Sequence, residues 1–154
     1  MIEKPQIAEM PAASTAYIHL KVPRAQMPEV FGPAVEELVS TITGQGAAIA
    51  GPLFAHHLRM EPEKFEFEVG FPVNGNVTAS GRVRPGARPA VKVARTVYQG
   101  AYDGLPDAWG EFHAWVENSG LDWAPDIWEC YLVGPESESD PGRWRTELNR
   151  PLVG

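Results

Sequence analysis

One carboxylate stands in the middle of an apolar stretch near the end of the chain, DIWECYLVG at residues 126–134. Alternation along a strand places Glu129 and Tyr131 on one face and Trp128, Cys130 and Leu132 on the other. We expect the Trp128 face to pack under a helix and the Glu129 face to line a ligand site. An acid and a phenol side by side have the chemistry either to hold a cationic group or to move a proton.

Strand spacing alone leaves two interpretations of Glu129 open. A carboxylate in apolar surroundings has to be hydrogen-bonded, protonated or matched by a cation. In the first interpretation the cation belongs to a ligand. In the second, Glu129 pairs with a basic side chain or accepts hydrogen bonds from tyrosine hydroxyl groups, and its role is structural.

The sequence contains no residue pattern typical of a metal site, a cofactor site or a catalytic nucleophile. His56 and His57 are adjacent in a predicted strand, so they point to opposite faces, and no further histidine lies at ligand spacing from His19 or His113. Cys130 is the only cysteine, which excludes a disulfide framework. The phosphate-loop patterns GxGxxG and GxxxxGK[ST] and the nucleophile pattern GxSxG do not occur. We therefore expect no metal and no cofactor.

Composition and charge limit the classes of ligand and partner that the protein is expected to bind. The 154 residues carry 13 basic and 20 acidic side chains, a net charge of -7. Such a balance argues against direct nucleic-acid binding and weakly favours a cationic ligand. No stretch of about 18 apolar residues could span a membrane, and the first residues do not resemble a signal peptide. We expect a cytoplasmic protein.

The elements that must position Glu129 follow from periodicity. The order β-α-β-β, a bridge and then β-α-β-β predicts an α+β fold with two repeats related by a pseudo-twofold axis. Antiparallel sheets backed by helices would leave a central ligand cleft between the repeats. The predicted strands are 16–22, 51–60, 64–73, 87–100, 126–134 and 144–152, and the helices lie within 27–46 and 101–120. After a leader at 1–15, one domain covers 16–154, with repeat one at 16–73, a bridge at 74–86 and repeat two at 87–152.

Four segments in this order resemble the GyrI-like effector-binding domain family. They are EFEVGFPVNG (66–75), VYQGAYDGLPDAWGEFHAWVENSGL (97–121), APDIWECYLVGP (124–135) and RTELNRPL (145–152). Such domains occur alone or attached to helix-turn-helix regulators of the AraC and MerR types, including multidrug-responsive ones. The resemblance covers roughly residues 16–152. It implies two β-α-β-β repeats around a drug-binding cleft, and a role for an acidic residue in the strand after the second helix, matched here by Glu129.

Aromatic side chains supply the other candidate ligand contacts. Tyr102 lies where a strand meets a helix, at a junction that the resemblance puts beside the cleft, and Trp123 lies in the loop before strand 126–134. The full set of predicted ligand-binding residues is Glu129, Tyr131, Tyr102, Trp123, Tyr17, His57 and Phe71. Trp109, Phe112 and Trp115 follow the apolar stripe of the second helix, so we assign them to the core.

Three functions are consistent with these residues. The first is a stand-alone binding protein for a lipophilic, cationic small molecule. The second, which the resemblance implies for some stand-alone members, is a hydrolase of reactive compounds such as cyclopropane-bearing alkylators, with Glu129 and Tyr131 or Tyr102 as the acid/base pair. The third is a structural or gyrase-inhibitor-like interaction domain, with a partner protein or a second copy of the chain.

Overall fold

Nine strands and two helices make up the described part of the protein. The computed structural model describes residues 2–23, 26–60, 64–135 and 137–153. No helix within these ranges is long and apolar enough to cross a membrane. The elements are β1 (Gln6–Met10), β2 (Ala13–Pro23), α1 (Met27–Gly44), β3 (Ala48–Ile49), β4 (Phe54–Met60), β5 (Lys64–Asn74), β6 (Val83–Arg88), β7 (Val91–Gln99), α2 (Leu105–Asn118), β8 (Ile127–Val133) and β9 (Arg145–Pro151).

The chain divides into two units, and the first unit is Pro11–Ala90. Its antiparallel sheet has the strand order β4-β5-β2-β6, with β3 paired to β5. Helix α1 packs against β2 and β5. The predicted apolar stripe of this helix is confirmed at Ala34, Leu38 and Ile42, which are fully buried. Phe31 of the same helix stacks on Phe67 of β5, so α1 covers the Phe67 face of the sheet.

The second unit combines Met1–Met10 with Val91–Gly154. Its strands are antiparallel in the order β1-β7-β9-β8, and α2 packs against β7. Phe112 and Val116 of α2 are buried against the sheet. They form one core cluster with Ala94, Tyr98, Ala108 and Leu148.

Each unit contains the predicted β-α-β-β order. In the first unit β2, α1, β4 and β5 follow one another, and in the second unit β7, α2, β8 and β9 do so. A fourth strand pairs with the first strand of each set: β6 pairs with β2, and β1 pairs with β7. The α+β fold class is confirmed. The pseudo-twofold axis and the central cleft stay predictions.

Two segments without a strand pattern in the sequence are strands. The predicted leader at 1–15 contains β1, which pairs along β7, and β2 already begins at Ala13. The predicted bridge at 74–86 runs into β6, so the single strand expected over 87–100 is two strands separated by Pro89 and Ala90. Proline has no N–H to donate to a ladder, which explains the break. QIAEM and VRPGAR lack the strict apolar alternation by which a strand is recognised.

Candidate functional site

The carboxylate of Glu129 is enclosed and accepts hydrogen bonds from Trp109 and Tyr131. Glu129 lies in β8 and is 6% exposed. The indole N–H of Trp109, on α2, donates to Glu129 Oε2 at 2.7 Å. The hydroxyl of Tyr131 donates to Oε1 of the same carboxylate at 2.8 Å. Each oxygen therefore accepts from a different element of the second unit, which fixes the orientation of the carboxylate.

Glu129 lies on the sheet face that α2 covers. Its partner across the ladder is Leu148, and directly opposite residues of an antiparallel pair have their side chains on the same face. Leu148 belongs to the core cluster that contains Phe112 of α2. Tyr131, two residues along β8, shares this face.

The expectation that Trp128, Cys130 and Leu132 pack under the second helix is wrong. Trp128 and Cys130 are buried on the opposite sheet face, where the side-chain amide of Asn149 contacts Cys130 Sγ at 3.9 Å. Leu132 is 42% exposed and lies at a register irregularity of the β8–β9 ladder. Alternation separates a strand into two faces, but it does not specify which face a helix will cover.

Three aromatic rings continue outward from Glu129. The Tyr102 ring meets the Tyr131 ring edge-on, with 5.7 Å between centroids, and the Trp144 ring with 4.8 Å between centroids. The Trp144 indole N–H donates to the carbonyl of Glu138 at 2.8 Å, which anchors this ring. We refer to Tyr102, Trp109, Glu129, Tyr131 and Trp144 as the Glu129 cluster.

Tyr131 serves as a donor and not as a base. Burial raises the pKa of its hydroxyl well above the usual value, and the charge and hydrogen bond of Glu129 raise that pKa further. The neutral phenol is favoured because a phenolate would lose solvation and face a carboxylate. Tyr131 therefore keeps its proton at neutral pH and presents it to Glu129.

A glycine-bounded junction positions Tyr102. The hydroxyl of Tyr98 donates to the carbonyl of Ala101 at 2.8 Å, and the N–H of Gly100 donates to the carbonyl of Trp144 at 2.9 Å. Gly100 has a φ of 146°, which side chains rarely tolerate. Tyr102 follows in a 3-10 turn that ends at Gly104. A Cβ at Gly104 would collide with the hydroxyl of Tyr98.

We expect Gly104→Ala to lower the free energy of unfolding by about 1–3 kcal/mol, because an added methyl group overpacks this junction. The backbone of Gly104, at φ -87°, accepts alanine, so the collision with Tyr98 is the only cause. Urea unfolding measures the loss. Gly110→Ala is the matched control: nothing lies within 4 Å of its added Cβ, and alanine favours the helix.

A second background tests the assigned cause. In Tyr98→Phe protein the hydroxyl that would meet the new methyl group is absent, so Gly104→Ala should lose less stability than in the wild type. An equal loss in both backgrounds would contradict the proposed collision.

Trp123, a predicted ligand residue, makes contacts at another part of the second unit. Its ring meets His113 of α2 edge-on at 5.1 Å, and Arg150 lies over it at 5.9 Å from the centroid. Its backbone bridges to Leu152. In the described part of the chain the contacts with His113 and Arg150, and none with a ring of the Glu129 cluster, involve the Trp123 ring. A ligand contact for Trp123 stays a prediction.

The remaining predicted ligand residues, Tyr17, His57 and Phe71, lie in the first unit. His57 pairs with Phe67 across the β4–β5 ladder and stacks on it at 5.3 Å, so it lies on the sheet face that α1 covers. Phe71 shares this face with Phe67 because the two are four residues apart in β5. Tyr17 pairs with Gly70 and therefore lies on the opposite face. Their contact with a ligand stays a prediction.

Sequence reasoning missed two members of the cluster. The helical stripe assigns Trp109 to the core, and the strand pattern places Trp144 at the start of a strand. The structure keeps the Trp109 ring 5.7 Å from Phe112, as a core residue would be, while its N–H reaches Glu129. The available signal was chemical: a buried indole N–H needs an acceptor, and Glu129 needed a donor.

Comparison with protein families gives a match over nearly the whole chain. The model of the GyrI-like small molecule binding domain matches residues 3–152. None of the curated proteins compared with the chain matches it significantly.

Solved structures share the fold at low sequence identity. The C-terminal domain of EcmrR is 20% identical with a TM-score of 0.86, covering 97% of each chain. In the EcmrR–DNA complex the TM-score is 0.85, and the present chain spans 57% of that EcmrR chain. SAV2435 bound to tetraphenylphosphonium is 12% identical with a TM-score of 0.73, covering 99% of this chain and 95% of SAV2435.

A hydrolase from Listeria innocua has the same fold. It is 14% identical with a TM-score of 0.72, and the alignment covers 97% of this chain and 92% of the hydrolase. The fold therefore occurs both in the C-terminal domain of EcmrR, a protein that forms a complex with DNA, and in a hydrolase. Function has to be argued from the side chains of the site.

Proposed function

The chain belongs to the GyrI-like small molecule binding domain family, and we propose that it binds a lipophilic cation at the Glu129 cluster. The observation that carries this proposal is the enclosed carboxylate of Glu129, oriented by Trp109 and Tyr131. Both donors are neutral groups that orient the carboxylate. A preorganised anion beside aromatic rings suits a large, weakly hydrated cation.

The aromatic members of the cluster support the same ligand class. Tyr131 contacts Glu129, the Tyr102 ring contacts the Tyr131 ring, and the Trp144 ring contacts the Tyr102 ring. Each ring face in contact with a cation contributes on the order of 0.5–2 kcal/mol, together with the burial of apolar surface. Because Glu129 is enclosed, a ligand reaches it only when surrounding side chains move aside. The net charge of -7 favours the approach of a cation.

The structural relatives suggest a test ligand and a role. SAV2435 has been solved with tetraphenylphosphonium, a lipophilic cation without hydrogen-bond donors. EcmrR has a C-terminal domain of this fold and also forms a complex with DNA. We propose that the present chain acts as an effector-binding module and recognises its effector without contacting DNA itself.

Titration with two ions of opposite charge tests the proposal. Tetraphenylphosphonium and tetraphenylborate have nearly the same size and shape, so a difference in affinity reports the charge preference of the site. We expect tetraphenylphosphonium to quench tryptophan fluorescence saturably, because Trp109 and Trp144 belong to the cluster, and tetraphenylborate to bind far more weakly. Equal affinities, or no binding of the cation at high micromolar concentration, would refute the proposal.

Hydrolysis is the second candidate function. The hydrogen-bonded pair of Glu129 and Tyr131 and the shared fold of the Listeria innocua hydrolase favour it. In such a reaction Glu129 would act as the acid or base, since Tyr131 holds its proton. Turnover of a cyclopropane-bearing alkylator that is lost in Glu129→Gln would establish the enzyme. If the substrate binds stably and is unchanged after long incubation, hydrolysis is rejected and only the binding function remains.

A further inference from the structure

Thr146 lies beside the Glu129 cluster with an unsatisfied hydroxyl. In the two ladders of β9 it pairs with Tyr131 of β8 on one side and with Tyr98 of β7 on the other. All three side chains therefore point to the face that α2 covers. Thr146 is fully buried, and its Oγ1 has no hydrogen-bond partner among the described residues.

A neighbouring threonine, Thr96, forms the hydrogen bond that a buried hydroxyl normally needs. Thr96 of β7 is 3% exposed, and its hydroxyl donates to the carbonyl of Glu3 at 2.7 Å. It pairs with Leu148, so it lies one row along the same sheet face from Thr146. An enclosed hydroxyl without a partner destabilises the fold, and valine has the same shape without this cost. Packing alone therefore gives no reason for a threonine at position 146.

The position of Thr146 relative to Glu129 gives such a reason. Tyr131 links the two, because it lies directly opposite Thr146 and donates its hydroxyl to Glu129. Thr146 and Glu129 are diagonal neighbours across the β8–β9 ladder, a separation of about 7–8 Å between backbones. One small molecule can span that distance, with its charge at Glu129 and a polar atom at Thr146.

We propose that Thr146 is a specificity-determining residue of this site, whose hydroxyl forms a hydrogen bond with the ligand. The ligand is then a lipophilic cation that also carries a hydroxyl or carbonyl oxygen about one ring away from its charge. This inference rests on the proposed function and adds a second recognition point to it. Cations made only of hydrocarbon around the charge bind, but they leave the Thr146 hydroxyl unsatisfied.

Matched phosphonium probes test the inference. In one series a single ring of tetraphenylphosphonium carries a hydroxymethyl group at the ortho, meta or para position, and in the other an ethyl group of nearly the same shape. We expect wild-type protein to prefer the best hydroxymethyl isomer over its ethyl counterpart by about three- to tenfold. Thr146→Val should abolish this preference, leave the affinity for tetraphenylphosphonium unchanged, and leave the unliganded fold as stable as the wild type or more so.

Thr96→Val is the matched control for the substitution itself. It removes the hydrogen bond to Glu3, so it should lower stability and retain the preference for the hydroxymethyl probe. A wild type without that preference, or a preference that survives in Thr146→Val, overturns the inference while the cation site stands. Another outcome is a Thr146→Val protein that is less stable and binds every probe as the wild type does. That result would show that the Thr146 hydroxyl forms its hydrogen bond with an internal water, and it would also overturn the inference. Failure of every cation to bind the wild type removes the proposed function and this inference with it.

Discussion

Glu129→Gln is expected to lower the affinity for tetraphenylphosphonium about ten- to hundredfold. The substitution keeps the shape of the side chain and removes its charge. An interaction with a charged group in an enclosed site contributes about 1.5–3 kcal/mol, which corresponds to that range of affinity. Isothermal titration calorimetry or fluorescence quenching measures the change. Tetraphenylborate, in contrast, should bind no more weakly to the variant than to the wild type.

Glu147→Gln is the matched control for that loss. Glu147 is a half-buried carboxylate of β9 in the same unit, and its Oε1 lies 3.5 Å from Nε of Arg95. It pairs with Cys130, so it faces away from the Glu129 cluster. We expect this variant to bind tetraphenylphosphonium as the wild type does.

The opposite pattern would support a structural role for Glu129. In that case Glu129→Gln would raise the free energy of unfolding, because a buried charge is removed, and no lipophilic cation would bind either protein. Binding by Glu129→Gln with wild-type affinity would equally contradict the proposed role of the carboxylate.

Trp109→Phe is expected to have the second-largest effect. The change keeps an aromatic ring against Phe112 and removes the N–H that donates to Glu129. Glu129 Oε2 then loses this hydrogen bond, which should lower the free energy of unfolding by about 1–3 kcal/mol. Affinity for tetraphenylphosphonium should fall as well, because the carboxylate loses one of the hydrogen bonds that orient it.

Trp115→Phe controls for the loss of ring size. Trp115 lies on the same helix and stacks on Phe112 at 6.5 Å between centroids, and it also packs against the core cluster. The two variants therefore remove the same atoms from neighbouring positions, and only Trp109 donates to Glu129. Equal losses of stability and unchanged affinity in both variants would show that the N–H of Trp109 does not position the carboxylate.

Much of the fold could be predicted because its signals are local. The apolar residues of α1 recur at helical spacing, and Ala34, Leu38 and Ile42 are indeed buried. In β5 the buried Phe67 and Val69 alternate with the partly exposed Glu66 and Glu68, as a half-buried strand requires. β1 and β6 lack such a pattern, because each pairs with a single neighbour at the end of the sheet order within its unit. Their strand conformation depends on that neighbour and not on their own side chains.

The candidate site likewise has features that its local sequence predicts and features that depend on distant parts of the chain. Alternation along β8 is enough to predict that Glu129 and Tyr131 share a face of one strand, because the two residues are two apart. The packing of α2 and the pairing of β9 were needed to establish that α2 covers this face, that Trp109 reaches Glu129, and that Thr146 lies opposite Tyr131. Helix position and ladder register join residues that are distant in sequence, and the periodicity of a single element carries no information about either.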